Sequence, residues 1–160
     1  GLSLQKLYEA FPCYEFRFTD KHNLDITDEK ALQNIFEAER FYAVLHFAAY
    51  TAVDKAENEQ EMCRAINTDA TKNIACLCEK HSAKLIFIST DFVFDGSLST
   101  PYLPTDKTNP LSVYGLTKEQ GEQAVLTYCN KSLVISILTD IQPEYRTEPK
   151  MQLQTTRIQY

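Results

Sequence analysis

Glycine is scarce in this sequence: Gly1, Gly96, Gly115 and Gly121 are the only four in 160 residues. Average usage of roughly 7% would place about eleven, and a phosphate-holding βα turn normally takes several by itself. Tryptophan is absent. The five cysteines, Cys13, Cys63, Cys76, Cys78 and Cys129, are odd in number and irregularly spaced, which argues against a disulfide framework. Cys76 and Cys78 stand two apart on a predicted helix and face different directions, and no His or Cys pair completes a zinc set. The expectation is five buried or half-buried reduced thiols and no metal. Positive charge is also short, with 16 Lys+Arg against 22 Asp+Glu and a net charge of −6. A broad nucleic-acid or anionic-membrane surface is therefore not expected. No apolar run approaches the roughly 18–20 residues a bilayer needs, and no signal-peptide pattern opens the chain. Cytoplasmic is the default expectation.

What is present is enough for one domain with a core. The apolar share is 44% and the charged share 24%, a globular composition. Alternating aromatic and polar residues over Cys13–Thr19 predict a short strand ending at Asp20. Leu24–Asp28 then leads into a helix, with Thr27 or Asp28 as N-cap and Leu32, Ile35 and Phe36 at helical spacing. Phe41–Phe47 is a near-continuous apolar run, the pattern of a strand buried on both faces. Helical pattern covers about Val53 to His81 in two pieces, and Lys84–Ile88 is a second buried strand. Residues 89–113 carry most of the prolines and form a long loop, a length that is usually functional inside a compact domain. Tyr114 to about Tyr128 reads as a helix and Ser132–Ser136 as another strand. Strand and helix in alternation predict an α/β fold with a Rossmann-like, doubly wound parallel sheet. From Thr139 onward Gln, Thr, Arg, Glu and Pro dominate, so 1–138 is read as the folded unit and 139–160 as a disordered or non-native tail.

Tyr114-Gly-Leu-Thr-Lys118 places a phenol and an ammonium on one helix face, a turn apart. A neighbouring ammonium favours the phenolate and is expected to lower the Tyr114 pKa. Such a phenol suits protonation of a carbonyl oxygen as hydride reaches its carbon. With nine tyrosines in the chain the spacing alone is a weak signal, and its context is what counts. Ser89-Thr90-Asp91 follows a buried strand, and ligands of parallel sheets bind at the strands' carboxyl ends. Thr90 is placed to hydrogen-bond the same carbonyl oxygen, although a plain strand-ending turn accounts for these three residues equally well. Ala48 and Ala49, at the end of the other buried strand, would let a flat cofactor approach closely or would simply permit tight packing. Asp20 and Asp25 stand where a dinucleotide fold keeps an acid for the adenosine end, or else they are turn and cap residues.

These residues carry a resemblance. The stretches Leu24–Asp28, Ala48–Glu57, Ile88–Gly96, Pro101-Tyr102 and Pro110–Glu122 resemble, in order, the dTDP-4-dehydrorhamnose reductase family of the extended short-chain dehydrogenase/reductases. The resemblance implies reduction of dTDP-4-dehydro-L-rhamnose to dTDP-L-rhamnose with NADPH or NADH as cofactor. It implies Tyr114 as proton donor, Lys118 on the nicotinamide ribose and Thr90 polarising the carbonyl. Asp25 and Ile26 would contact the adenine side, and Ala48, Ala49 and Tyr50 the middle of the cofactor. Thr90 and Asp91 would meet the sugar nucleotide, a dTDP-linked 4-keto-6-deoxy sugar, and Asn67 matches a helix asparagine that supports the active site.

Two departures bear on this expectation. The family opens with a strand and a Gly-x-x-Gly-x-x-Gly turn, whereas Gly1–Leu7 fits only the last glycine and its helix. After Val134-Ile135 the family expects an Arg-Thr-Ser-Trp-like stretch and a long substrate-binding part, and Ser136–Pro143 does not match it. The expectation is a Rossmann domain lacking its first strand and most of the substrate domain, with weak or no turnover by itself. A homodimer is left open. The alternative is a non-catalytic interaction module, as in the regulatory β-subunit of methionine adenosyltransferase, which shares the architecture.

Overall fold

The computed structural model describes residues 8–98, 100, 102–103, 105–138 and 152–158. Three parallel strands form the centre: β1 (Ala43–His46), β2 (Lys84–Thr90) and β3 (Ser132–Leu138). A fourth strand, β4 (Gln152–Ile158), pairs antiparallel with β3, giving the order β1-β2-β3-β4. Register is set by pairs such as His46 with Phe87 and Ser89 with Ser136. The helices are α1 (Glu29–Ala38), α2 (Val53–Ala56), α3 (Gln60–Arg64), α4 (Ala70–Lys80) and α5 (Val113–Tyr128). A π-helical turn, Ala65–Asp69, joins α3 to α4.

Local chemistry explains the boundaries. Asp28 caps α1, its Oδ1 accepting from the Lys30 and Ala31 amides at 3.0 Å each, which meets two of the donors a helix start leaves over. Ser112 caps α5 in the same way, accepting from Gly115 N at 3.0 Å. The core lies between the helices and one sheet face. Leu32 and Phe36 of α1, Ile74, Leu77 and Cys78 of α4, and Val125 of α5 pack on Leu85, Phe87 and Val134. On the opposite face the alternate residues Leu45, Ile86, Ile88, Leu133, Ile135 and Ile137 are half-buried. This is a Rossmann-like α/β fold.

Three expectations change. Residues 13–19 are not a strand. The aromatic alternation does put Tyr14, Phe16 and Phe18 on one side, where Phe16 and Phe18 stack at 5.9 Å and Tyr14 reaches Tyr42 at 6.3 Å. No ladder partner runs beside them among the described residues, and side-chain pattern without a ladder does not make a strand. The thiols divide: Cys63, Cys78 and Cys129 are buried, but Cys13 and Cys76 are exposed. Cys76 and Cys78 do face different ways, because two residues turn a helix by about half a revolution. Of the tail from 139 onward, 152–158 form β4, and the other residues lie outside those described.

Candidate active site

The carboxyl ends of β1 and β2 and the first turn of α5 converge on one place. Tyr114 is 9% exposed there, with its ring edge-on to Phe92 at 5.6 Å. The fold needs glycine immediately after it. A Cβ on Gly115 would stand 2.2 Å from the Phe92 carbonyl oxygen. Further along the same helix, a Cβ on Gly121 would stand 2.6 Å from the Asn67 carbonyl oxygen. Two of the four glycines thus allow backbone to meet backbone around α5.

Thr90, Tyr114 and Lys118 are brought together. The neighbouring Thr90 hydroxyl favours the phenolate, but burial is the larger influence and the Tyr114 pKa is raised. This corrects the lowering expected from Lys118. The ammonium is directed elsewhere: Lys118 Nζ donates to the Ile88 carbonyl oxygen at 2.6 Å and sits 4.0 Å from the centre of the Phe87 ring. Both contacts favour a buried cation. Burial nevertheless pushes Lys118 down to about 8, with Glu122 acting in the opposite direction.

A linkage follows. Between about pH 8 and the ordinary lysine value, the folded chain binds fewer protons at Lys118 than the unfolded chain. Relative to Lys118→Met, the wild-type chain is therefore expected to gain stability as pH rises through that window, by up to about 3 kcal/mol. Parallel urea titrations of the two proteins at several pH values would measure the difference, and a flat difference would contradict it.

The neighbouring polar groups form one connected set. Asn67, 1% exposed within the π turn, accepts from the Tyr50 amide at 2.8 Å through Oδ1. Its Nδ2 donates to the Tyr50 carbonyl at 3.2 Å and to Thr117 Oγ1 at 3.1 Å. Thr117 in turn donates to the Tyr114 carbonyl at 3.0 Å. One amide side chain therefore ties the loop after β1 to the helix carrying Tyr114 and Lys118. π turns of this kind are frequent at functional sites. His46 is a neutral packing residue: its Nε2 meets Thr71 Oγ1 at 3.0 Å, and burial, then Lys118, hold its pKa at about 3.

Thr90 also organises the wall beyond β2. Its hydroxyl bonds the Asp91 carboxylate at 3.1 Å and accepts from Phe92 N at 3.3 Å. The following loop is held by Asp95, which accepts from Ser97 N and Tyr102 OH at 2.9 Å and from Asn109 Nδ2 at 3.0 Å. Phe94 stacks on Tyr102 at 4.2 Å.

The remaining candidates are placed less centrally. Asp25 closes a turn, accepting from Thr27 N at 2.9 Å and Thr27 Oγ1 at 2.7 Å, and Ile26 packs against the core. Asp20 closes another turn through the His22 and Asn23 amides. Both precede α1, whose N-terminus faces the strands' carboxyl edge because a crossover helix runs opposite to the strand it feeds. Ala48 is exposed, and Ala49 and Tyr50 are half-buried at that edge. Thr117, Phe87 and Glu57 were not singled out by the sequence. The helical spacing between Tyr114 and Lys118 was signal enough for Thr117. Nothing local marks Glu57, whose side chain accepts from the Val113 amide 56 positions away. Among the described residues no group of three or more His, Cys, Asp or Glu side chains could hold a metal. No described helix is long and apolar enough to cross a membrane.

The family model described as the RmlD substrate binding domain matches residues 1–138. The chain belongs to that family. A dTDP-4-dehydrorhamnose reductase of Aggregatibacter actinomycetemcomitans is 36% identical over 135 residues, covering 84% of this chain and 46% of the relative. The Mycolicibacterium smegmatis protein of the same name is 48% identical over 107 residues, 64% of this chain and 31% of the relative. Among solved structures, the Bacillus anthracis dTDP-4-dehydrorhamnose reductase in complex with NADP superposes with a TM-score of 0.79 at 34% identity. It covers 84% of this chain and 49% of that one. The Clostridium acetobutylicum orthologue gives 0.82 at 35%, covering 85% and 48%. The chain thus spans less than half the length of these RmlD-family relatives.

Proposed function

We propose that this chain is the Rossmann portion of a dTDP-4-dehydrorhamnose reductase, supplying the proton-donor set for reduction of a dTDP-linked 4-keto-6-deoxy sugar. The observation that supports it is the gathering of Thr90, Tyr114 and Lys118, from a strand end and a helix start, at the carboxyl edge of a parallel sheet. The residues fit a nicotinamide cofactor, NADPH or NADH. Small Ala48 and Ala49 border the edge, and the buried Lys118 ammonium offers donors suited to ribose hydroxyls.

When bound, the cofactor supplies hydride to the carbonyl carbon. The protein supplies the rest. Tyr114, kept protonated by its burial, gives its phenol proton to the carbonyl oxygen as negative charge develops there. Turning from the Asp91 carboxylate, the Thr90 hydroxyl would give its one hydrogen-bond proton to that oxygen. Lys118 would hold the nicotinamide ribose. Asp91 would meet the sugar nucleotide, while Asp25 and Ile26 would flank the adenine end and Tyr50 the middle of the cofactor.

Since the relatives are about twice as long, the 160-residue chain is expected to turn over weakly or not at all. Calorimetric titration with NADPH and with NADH tests the reading most directly. Micromolar binding of either supports it, and a robust rate of dTDP-rhamnose formation by the isolated chain would refute the expectation of weak turnover. The alternative of a pure interaction module gains nothing from the structure, because such a module has no need of a buried proton donor beside Thr90.

A further inference from the structure

The first turn of α5 has a problem of its own. It carries Tyr114 at the second helical position, where backbone amides have no partner inside the helix. Ser112 satisfies the Gly115 amide. The Val113 amide is satisfied from outside, by Glu57 Oε1 at 2.9 Å. Glu57 follows directly on α2, whose Ala56 is 0% exposed and packs in a small cluster with Cys63 and Tyr114, flanked by Tyr50, Phe92 and Val113. Two residues on, Glu59 accepts from the Tyr50 hydroxyl at 2.8 Å. One short acidic turn thus grips both sides of the site, the helix bearing Tyr114 and the loop after β1. Its carboxylate also lies at the end of α5 where the helix dipole favours negative charge.

Resting on the reductase reading above, we infer that Glu57 is a positioning residue: its carboxylate, accepting from the Val113 amide, seats the turn that aims the Tyr114 phenol at Thr90. Ala56 alone would hold the turn by packing, which fixes depth but not rotation. A directional hydrogen bond at the residue before Tyr114 fixes the rotation. Glu57 itself is exposed, so its replacement removes no buried side chain.

The seat can be tested on the 160-residue chain without turnover. The phenol titration of Tyr114 is followed by NMR with ring-labelled tyrosine, assigned by its disappearance in Tyr114→Phe, together with exchange of the Val113 amide. In Glu57→Ala, Val113 protection is expected to be lost and the Tyr114 titration to fall toward its ordinary value as the ring loses burial. Glu57→Gln, which keeps an acceptor oxygen, should restore both. Val113→Pro deletes the same hydrogen bond from the other side. Proline is tolerated at a first helical position, and the extended Ser112 (φ −124°, ψ 157°) suits a following proline. Its Tyr114 titration should match that of Glu57→Ala, with the double variant no further shifted. An unchanged Tyr114 titration in Glu57→Ala, or a shift in Glu57→Gln as large as in Glu57→Ala, would overturn the inference. Failure of NADPH binding by the unmodified chain would instead count against the reductase reading and leave this result intact.

Discussion

Replacing Tyr114 by phenylalanine is expected to lower kcat by about 10²–10⁴-fold, the usual contribution of a positioned general acid. The measurement requires a complete enzyme. A suitable one carries residues 8–138 of this chain in place of the matching stretch of the Aggregatibacter actinomycetemcomitans dTDP-4-dehydrorhamnose reductase, which is 36% identical over 135 residues. At about 1.4 kcal/mol per tenfold, the loss corresponds to roughly 3–5 kcal/mol of transition-state stabilisation. The affinity for NADPH should change little, because the phenyl ring keeps the packing against Phe92 and loses only the hydroxyl. A chimera that stays fully active with phenylalanine at position 114 would remove Tyr114 from the mechanism. The raised phenol pKa is compatible with the role: it keeps the proton in place at neutral pH until a developing oxyanion accepts it.

Gly115→Ala should be the most damaging small change in the chain. The added methyl would lie 2.2 Å from the Phe92 carbonyl oxygen and 3.1 Å from Pro110 Cβ. The first of these is backbone and cannot rotate away. Alanine's better helix propensity returns about 1 kcal/mol, but relieving the overlap requires the start of α5 to move, and overpacking of this kind typically costs ~1–3 kcal/mol or more. A thermal melt should shift down by several degrees, at roughly 2–4 °C per kcal/mol for a chain of this size. In the chimera, turnover should fall with it, since Tyr114 is the adjacent residue. Leu116→Ala, one position further and 44% exposed, serves as the control and should stay within about ±0.5 kcal/mol. Equal melting temperatures for Gly115→Ala and Leu116→Ala would show that the helix start is free to adjust.

Much of the site can be read from local pattern because its chemistry is local. Tyr114 and Lys118 share a helix face by the period of the α-helix. Thr90 ends a strand whose buried run announces itself. The glycine shortage has a counterpart in the structure, where half of the few glycines that remain lie at backbone-to-backbone contacts of α5. A cap at Thr27 or Asp28 follows from their place just ahead of the helical pattern, and the structure selects Asp28.

Other features depend on distance across the fold. The direction of the Tyr114 pKa could not be read from its spacing to Lys118, because burial of the phenol raises it and the ammonium is drawn to the Ile88 carbonyl and the Phe87 ring, partners about thirty residues earlier in the chain. Asn67 joins Tyr50 to Thr117 only once the π turn has set its amide between them. The aromatic alternation around Phe16 has the period of a strand, yet a strand exists only where a neighbour completes its hydrogen bonds. Periodicity, turn chemistry and caps are properties of neighbouring residues, so the sequence by itself determined the alternation of helix and strand between α1 and β3, the shared helix face of Tyr114 and Lys118, and the place of Thr90 at a strand end. Burial, ladder partners and contacts such as Glu57 with Val113 arise only when distant segments meet, and these the tertiary structure alone decided.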